Sequence, residues 1–164
     1  MLAAIATEFR AFAGPAELQR APLAVDGLLQ SAVALLRDAA AAQGATIELR
    51  LEPKLPELVG DAQQLRRVFV NLTQNALEAG AHRVVITAEV ASDRLRIAVA
   101  DDGPGVPAEV RARLFEPYFT SKSSGTGLGL AICRRMVEAH GGEITLERTA
   151  PGATVFVVSL PTAA

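Results

Sequence analysis

The chain has 164 residues, which suits one domain, and half of them are hydrophobic. Its 16 basic and 18 acidic residues leave a net charge of -2, without the broad positive field that nonspecific nucleic-acid binding requires. This balance excludes DNA and RNA as expected partners. Because only 4% of the residues are aromatic, the core has to be built mainly from Ala, Val, Leu and Ile.

The single cysteine, Cys133, cannot form an intramolecular disulfide, and it lies in a predicted helix beside Ile132. We expect a small buried apolar residue there and a reducing, cytoplasmic compartment. No apolar run approaches the ~18 residues that span a bilayer, so we expect no membrane contact within this chain. A membrane anchor of a longer parent protein would lie outside it.

In chain order, residues 2–13 are predicted to be helical up to Gly14-Pro15, and a polar connector follows. A second helix is predicted from Val25 to Gln43, where apolar residues recur at helical spacing before Gly44. Residues 45–52 then alternate as a strand does.

The next predicted helix spans 61–79, with Asp61 as its N-cap and Gly80 as its C-cap. Residues 83–90 and 94–101 form a predicted hairpin around the short A-S-D turn.

Beyond a Gly/Pro loop, we expect a short helix near 107–113 and a longer one over 128–140. Two final strands, 143–149 and 153–160, flank the turn Pro151-Gly152. About five strands and three main helices predict an α/β (α+β) fold, a two-layer sandwich whose mixed sheet is mostly antiparallel.

On a helical wheel, the helix 61–79 carries a narrow polar stripe beside its apolar side. The apolar side contains Leu65, Phe69, Leu72, Ala76 and Ala79, and the stripe contains Gln64, Arg67, Asn71, Asn75 and Glu78. Carboxamides in a groove can face phosphate oxygens or a metal. An ordinary solvated helix face is the alternative.

Asp101 ends a predicted strand, and alternation places it on the same side as Leu95, Ile97 and Val99. An inward carboxylate is costly without a partner, so a ligand donor is expected. Gly103 and Gly105 leave room for a ligand to approach the backbone. The alternative is a tight turn capped by the aspartate itself.

The segment S-K-S-S-G-T-G-L-G-L leads into the helix 128–140. Free N–H groups at a helix start, with glycines that allow close approach, suit an anion such as phosphate. The segment lacks the Gly-Lys-Ser/Thr of a P-loop and the last glycine of a dinucleotide fingerprint.

Together, N-L-T-Q-N-A, D-D-G-P-G, L-F-E-P-Y-F-T-S-K, G-T-G-L-G-L and a late G-A-T resemble, in order and spacing, the sequence boxes of sensor histidine kinases. The resemblance runs from about residue 23 to 160. It implies the ATP-binding catalytic domain of that family, with the Bergerat fold, over residues 21–164. E-F-R-A-F-A resembles the end of a dimerisation helix of nitrogen-regulation-type kinases, so residues 1–20 are expected to be its remnant and a linker.

The resemblance implies ATP and Mg²⁺ as ligands. Asp101 would bind the adenine amino group beside Gly103 and Gly105, Asn75 would ligate Mg²⁺, and Asn71 would support the phosphate side. The lid and its phosphate cradle would contain Lys122, Gly125, Thr126, Gly127, Leu128 and Gly129, and Thr154 would close the base pocket. Phe115 and Phe119 would anchor the lid by packing.

No phosphoacceptor motif is present, because neither His82 nor His140 is followed by the expected acidic and basic residues. Both are expected to be structural. The implied partners are ATP or ADP, the parent's own dimerisation and phosphoacceptor domain, and a response regulator, with this chain monomeric by itself. The alternatives are a related serine kinase or ATPase, and a regulatory module that never transfers phosphate.

Overall fold

The computed structural model describes Ala3, Ala6, residues 17–119 and residues 127–162. Most of the predicted helix 2–13 lies outside these residues. Within residues 17–119 and 127–162, the helices are α1 (Val25–Ala42), α2 (Ala62–Glu78), α3 (Ala108–Arg111) and α4 (Gly129–Ala139). The strands are β1 (Ala21–Leu23), β2 (Thr46–Leu51), β3 (Leu58–Gly60), β4 (Arg83–Ala91), β5 (Arg94–Asp101), β6 (Glu143–Ala150) and β7 (Ala153–Pro161).

The main sheet contains five strands in the order β2-β4-β5-β7-β6. Strand β2 runs parallel to β4, and the other neighbours are antiparallel. The predicted mixed, mostly antiparallel sheet is therefore confirmed. Strands β1 and β3 form a separate antiparallel pair that the sequence did not predict, because three residues are too short for alternation to be visible.

Helices α1, α2 and α4 cover one face of the sheet and form the second layer. Helix α2 lies centrally, since it packs against α1, α4, β4 and β5. Inward side chains of neighbouring strands alternate with outward ones, as in Ile86 of β4, Ile97 of β5 and Val158 of β7, which are all fully buried. Phe69 of α2 is the largest fully buried side chain. The core also contains Phe156, Cys133 and Met136 and is otherwise aliphatic, as the composition predicts.

The start of α2 is as predicted, and its C-cap is Ala79 rather than the predicted Gly80, which comes one residue later. Asp61 is its N-cap, and the Asp61 carboxylate accepts the backbone N–H of Gln64 at 3.1 Å. Gly80 follows the helix with a φ of +93°, which a glycine adopts without strain. The apolar side is buried as predicted except for Ala79, where the prediction is wrong because this residue is the C-cap and lies beyond the last packed turn.

None of the helices in the described part of the chain combines the length and the hydropathy that crossing a membrane requires.

Candidate nucleotide-binding site

Asp101 lies at the end of β5, directly opposite Thr154 of β7 in the antiparallel register. The aspartate is half-buried, and Thr154 is 4% exposed. Burial is the main factor that raises the pKa of Asp101, the neighbouring Asp102 carboxylate raises it further, and the N–H of Gly103, donated to Oδ1 at 2.8 Å, opposes the rise. The inward direction predicted from alternation therefore gives a partly desolvated carboxylate.

Asp102, the next residue, has a structural role. Its side chain is exposed, and its Oδ1 accepts the backbone N–H groups of His82 at 2.8 Å and Arg83 at 2.9 Å. These hydrogen bonds, that of Arg83 first, lower the pKa of Asp102. This carboxylate joins the end of β5 to the start of β4, which leaves Asp101 as the aspartate that faces the candidate site.

The two predicted loop glycines lie where side chains would collide with the site. A Cβ on Gly103 would come within 2.8 Å of the Asp101 carboxylate. Gly105 has a φ of +87°, and its Cβ would lie 2.9 Å from the carbonyl oxygen of Ala150. The carbonyl of Gly103 accepts the N–H of Gly152 at 2.8 Å. Both glycines are thus required for the loop to pack closely on the β6–β7 turn and leave space beside Asp101.

Thr149 of β6 is a residue of this region that the sequence reading missed. Its hydroxyl accepts the N–H of Val106 at 2.7 Å and lies 3.3 Å from the hydroxyl of Thr154. Thr149 and Thr154 are cross-strand partners. Their nearly symmetric placement about Pro151-Gly152 was the available signal, because residues at equal distances from a hairpin turn pair across it. Thr149 therefore links the glycine loop to the threonine beside Asp101.

Asn71 and Asn75 are half-buried on α2, so the polar stripe is not an ordinary solvated face at these two positions. The Asn71 carboxamide nitrogen lies 3.6 Å from the sulfur of Cys133 on α4. Cys133 is fully buried, as predicted, and burial raises the pKa of its thiol to about 12. The thiol is thus a neutral packing partner.

The chain beyond α2 brings Asn75 towards the Asp101 loop. Ala81 lies just after the helix, and a Cβ on Gly103 would be 3.8 Å from the Cβ of Ala81. Asn75 lies in the last turn of α2, and the helix as a whole packs against β5 and α4. The asparagines, the end of β5 and the start of α4 therefore surround one region.

At the start of α4, Gly127 has a φ of +73°, and a Cβ there would come within 2.8 Å of the backbone nitrogen of Phe119. Gly129 has open space around it. Leu128 is 1% exposed and packs in the core, so any contact it makes with a ligand would come from its backbone. The other predicted lid residues, Lys122, Gly125 and Thr126, lie outside the described residues.

The two phenylalanines expected to anchor the lid both pack on neighbours. The Phe115 ring meets the Phe156 ring edge to face, with centroids 6.3 Å apart and an interplanar angle of 88°. The Arg113 guanidinium carbon lies 4.5 Å from the centroid of the Phe119 ring. These contacts hold the described residues that precede the predicted lid.

A separate open groove of about 510 Å³ runs along the edge strand β6, and its lining includes Phe115 and Thr149. Its lining mixes arginines with glutamates, and it contains neither Asp101 nor the asparagines. The chemistry predicted from the sequence therefore does not lie there.

The donor set suits a nucleotide and a hard cation. The described residues include no cluster of three or more His, Cys, Asp or Glu side chains that could hold a metal by itself. Mg²⁺ prefers oxygen ligands and is commonly bound through one or two side chains plus substrate phosphates. The carboxamides of Asn71 and Asn75, beside the glycine-lined space at Asp101, fit that mode of binding.

Comparison with known proteins agrees with this geometry. The C4-dicarboxylate transport sensor protein DctB of Rhizobium meliloti (strain 1021) is 39% identical over 96% of this chain, which spans 26% of that relative. The catalytic domain of histidine kinase ThkA superposes with a TM-score of 0.79 at 29% identity, over 88% of this chain and 96% of that one. Full-length ShkA in complex with AMPPNP superposes with a TM-score of 0.87 at 32% identity. The superposition covers 99% of this chain and 36% of the ShkA chain.

Residues 60–164, which contain α2, the Asp101 loop and α4, match the model of a protein family described as histidine kinase-, DNA gyrase B- and HSP90-like ATPases. This chain belongs to the family of histidine kinase-, DNA gyrase B- and HSP90-like ATPases.

Proposed function

We propose that this chain is the ATP-binding catalytic domain of a sensor histidine kinase, which donates the γ-phosphoryl group of Mg·ATP to a histidine outside the chain. The observation that carries the proposal is the placement of Asp101 opposite Thr154, next to a glycine loop and near the two half-buried asparagines of α2. The similarity to the catalytic domain of ThkA supports it.

Within the proposal, each residue of the site holds one part of the nucleotide. The Asp101 carboxylate accepts a hydrogen bond from the adenine amino group, and Thr154 closes the pocket beside it. Gly103 and Gly105 keep the space for the base open. Asn75 is the Mg²⁺ ligand and Asn71 supports the phosphate side.

The start of α4 completes the phosphate side in this proposal. Gly127, Leu128 and Gly129 offer backbone N–H groups at the positive end of the helix dipole. Lys122, Gly125 and Thr126 belong to the same cradle.

Phosphoryl transfer depends mostly on positioning and on charge neutralisation, so such a division of roles is chemically sufficient. ATP supplies the phosphoryl group and Mg²⁺ neutralises its charge. Neither histidine of this chain is the acceptor in the proposal. His140 is buried with both ring nitrogens hydrogen-bonded inside the fold, and His82 precedes β4 without an acceptor motif.

In the parent protein, this domain works together with parts outside the chain. Residues 21–164 form the catalytic domain, and residues 1–20 connect it to a dimerisation domain that carries the acceptor histidine. The domain works in the cytoplasm, where ATP is available, and is monomeric by itself. A response regulator receives the phosphoryl group from the complete kinase.

Thermal unfolding with and without Mg·ADP tests nucleotide binding. At a ligand concentration 100-fold above Kd, stability increases by about 2.7 kcal/mol, and a domain of this size shifts by roughly 2–4 °C per kcal/mol. We therefore expect Tm to rise by about 5–10 °C. No shift at millimolar nucleotide would refute the proposal.

Two variants test the assignment of residues. Asp101→Asn should weaken nucleotide binding with or without Mg²⁺, whereas Asn75→Ala should mainly remove the Mg²⁺ dependence. If both variants bind like the parent, the site lies elsewhere. Transfer to a histidine-bearing helical hairpin of the same parent then distinguishes a histidine kinase from a related serine kinase or ATPase.

A further inference from the structure

The connector that precedes β1, described over residues 17–20, is hydrogen-bonded to two helices at once. The backbone N–H of Gln19 donates to Oδ2 of Asp61 at 3.0 Å, at the N-cap of α2. The guanidinium group of Arg20 donates to the carbonyl oxygen of Ala139 at 2.8 Å, at the last residue of α4. The connector therefore contacts both helices that bear on the proposed nucleotide site.

A buried histidine joins the same two helix ends. The backbone N–H of Asp61 donates to Nε2 of His140 at 2.9 Å, and Nδ1 of His140 lies 2.6 Å from the carbonyl oxygen of Met136. Because Nε2 accepts a hydrogen bond, Nδ1 is the protonated nitrogen, and its N–H donates to the carbonyl oxygen of Met136. Asp61 and His140 are each 6% exposed. We call Gln19, Arg20, Asp61 and His140 the connector node.

Asp61 and His140, the buried residues of the connector node, are tightly packed, whereas Gln19 and Arg20 are exposed. A Cβ on Gly60 would lie only 2.9 Å from Cδ2 of His140, so the strand β3 passes directly against the imidazole. Gly60 also pairs with Ala21, the first residue of β1 after the connector. The pairing of β1 with β3 and the hydrogen bond from Gln19 to Asp61 thus both hold the connector beside the start of α2.

Helices α2 and α4 run antiparallel from the connector node to the proposed site. Asp61 contacts His140 at one end, and further along α2 the carbonyl of Val68 and the carboxamide of Asn71 lie 3.8 Å and 3.6 Å from the sulfur of Cys133. Asn75 is 14 residues beyond Asp61, or about 21 Å along the helix axis. A helix is stiff over this length, so a displacement at the node changes the helix separation at the asparagines.

We propose that Asp61, His140 and Arg20 are positioning residues, through which the connector sets the spacing of α2 and α4 and thereby the geometry of Asn71 and Asn75. The effect on nucleotide affinity rests on the proposed function above. The effect on the spacing of α2 and α4 does not depend on the proposed function, because it is carried by hydrogen bonds within the fold.

A double variant breaks the connector contacts while keeping the helices capped. In Asp61→Ser the hydroxyl still caps the N–H of Gln64, but the second oxygen that accepts from Gln19 is lost. Arg20→Ala removes the contact with Ala139.

The matched control carries the same two exchanges on α1, at residues outside the connector node. Asp26→Ser and Arg37→Ala replace exposed residues there. The two double variants therefore have identical composition and net charge, and they differ only in where the side chains were removed.

Cys133, the chain's single cysteine, reports directly on the helix pair. It is fully buried between α2 and α4, so a thiol reagent reacts with it only when the helices separate or the domain unfolds. We expect labelling by a disulfide reagent to be at least about five-fold faster in the node variant, the lower end of typical coupling effects, and unchanged in the control.

The dependence of this rate on urea separates local from global opening. Local separation of two helices exposes little surface and depends weakly on urea, whereas global unfolding depends on it steeply. Equal rates in parent and node variant would overturn the proposal. An acceleration whose urea dependence is as steep as that of global unfolding would also overturn it, since that is what a merely structural role produces.

Affinity for Mg·ADP, measured by calorimetry on the same three proteins well below their Tm, tests the link to the site. We expect Kd to be about five-fold higher in the node variant and unchanged in the control. Faster labelling with an unchanged Kd would overturn the proposal that the connector sets the geometry of Asn71 and Asn75. If the unsubstituted chain does not bind Mg·ADP, the proposed function fails. The labelling rates still decide whether the connector controls the spacing of α2 and α4.

Discussion

At one end of the α2–α4 pair, all four polar side-chain atoms of Asp61 and His140 are bonded to other parts of the protein. At the other end, Asp101 accepts one N–H, and its second oxygen has no hydrogen-bond partner within the described residues. Asn71 makes a long contact with a thiol, which is a weak acceptor. Satisfied polar groups stabilise a fold, while those with remaining capacity cost stability and are available to a ligand.

The largest effect is expected from His140→Ala, which tests the satisfied end. The variant leaves the buried N–H of Asp61 without an acceptor and opens a cavity beside Gly60. We expect a loss of about 3–4 kcal/mol, measured by urea denaturation.

The other histidine is the control for that loss. His82→Ala changes an exposed side chain and should stay within about 0.5 kcal/mol of the parent. If His140→Ala costs less than about 1 kcal/mol, the two bonds of this imidazole do not stabilise the fold, and the difference between the two ends of the helix pair is not the one described.

A pair of glycine variants tests the loop at the site end. Gly105 and Gly152 have similar positive φ values, +87° and +82°, but only Gly105 would place its Cβ against the carbonyl of Ala150. Gly152→Ala should cost about 1 kcal/mol through backbone strain, and Gly105→Ala about 2–3 kcal/mol through strain and collision together.

Nucleotide binding distinguishes the two glycine variants further. Gly105→Ala should weaken binding of Mg·ADP, because the collision moves the loop that faces Asp101, whereas Gly152→Ala should leave Kd unchanged. Equal losses of stability and equal affinities in calorimetry would show that the close approach at Gly105 has no consequence for the site.

Asp101→Asn is expected to change stability less than Gly105→Ala does, and the change should depend on pH. Burial raises the folded-state pKa of Asp101 above its unfolded value. Such a group contributes stability that is fully present below the unfolded pKa and is lost as pH rises through the folded pKa. The nucleotide-free variant should therefore unfold at a higher temperature than the parent at pH 7, with a difference that disappears below about pH 4.

The adjacent Asp102→Asn provides the opposite sign. Hydrogen bonds from the backbone of Arg83 and His82 lower the pKa of Asp102, so its contribution is present above the unfolded pKa and is lost as pH falls. This variant should be less stable than the parent at pH 7 and equal to it at low pH. The same sign in both variants would mean that the two neighbouring carboxylates do not differ in environment as described.

Local signals in the sequence predicted most of the fold. Asp61 with Gln64 marked the start of α2, Gly80 marked its end, and the A-S-D turn marked the hairpin of β4 and β5. Alternation along β5 was enough to separate Asp101 from Asp102. These features depend on neighbouring residues, which is why a single sequence contains them.

Contacts between distant residues could not be predicted in the same way. His140 meets Asp61 across 79 residues, and the only local sign was a helix that ends at a histidine before two glycines. Thr149 takes its role from the register of β6 and β7, and that register includes a shift between Leu146 and Arg148. Such contacts are fixed by tertiary packing, which periodicity does not specify.

A small effect, in the direction of greater stability, is expected from Thr73→Val, which tests whether every unbonded polar atom near the site serves a ligand. The Thr73 hydroxyl is buried and has no hydrogen-bond partner within the described residues. Thr73 is two residues from both Asn71 and Asn75, about 200° around the helix, so it faces away from the proposed site. Valine keeps the shape and removes the unsatisfied group, and we expect a gain of about 1 kcal/mol, or roughly 2–4 °C in Tm.

Thr154→Val completes this comparison, because its hydroxyl lies 3.3 Å from that of Thr149 and beside Asp101. This second variant should lose both stability and affinity for Mg·ADP, whereas Thr73→Val should gain stability with an unchanged Kd. If Thr73→Val destabilises the domain instead, its hydroxyl has a partner in solution. An unbonded polar atom would then indicate ligand binding only where a second group, such as the glycine loop beside Asp101, leaves space for the ligand.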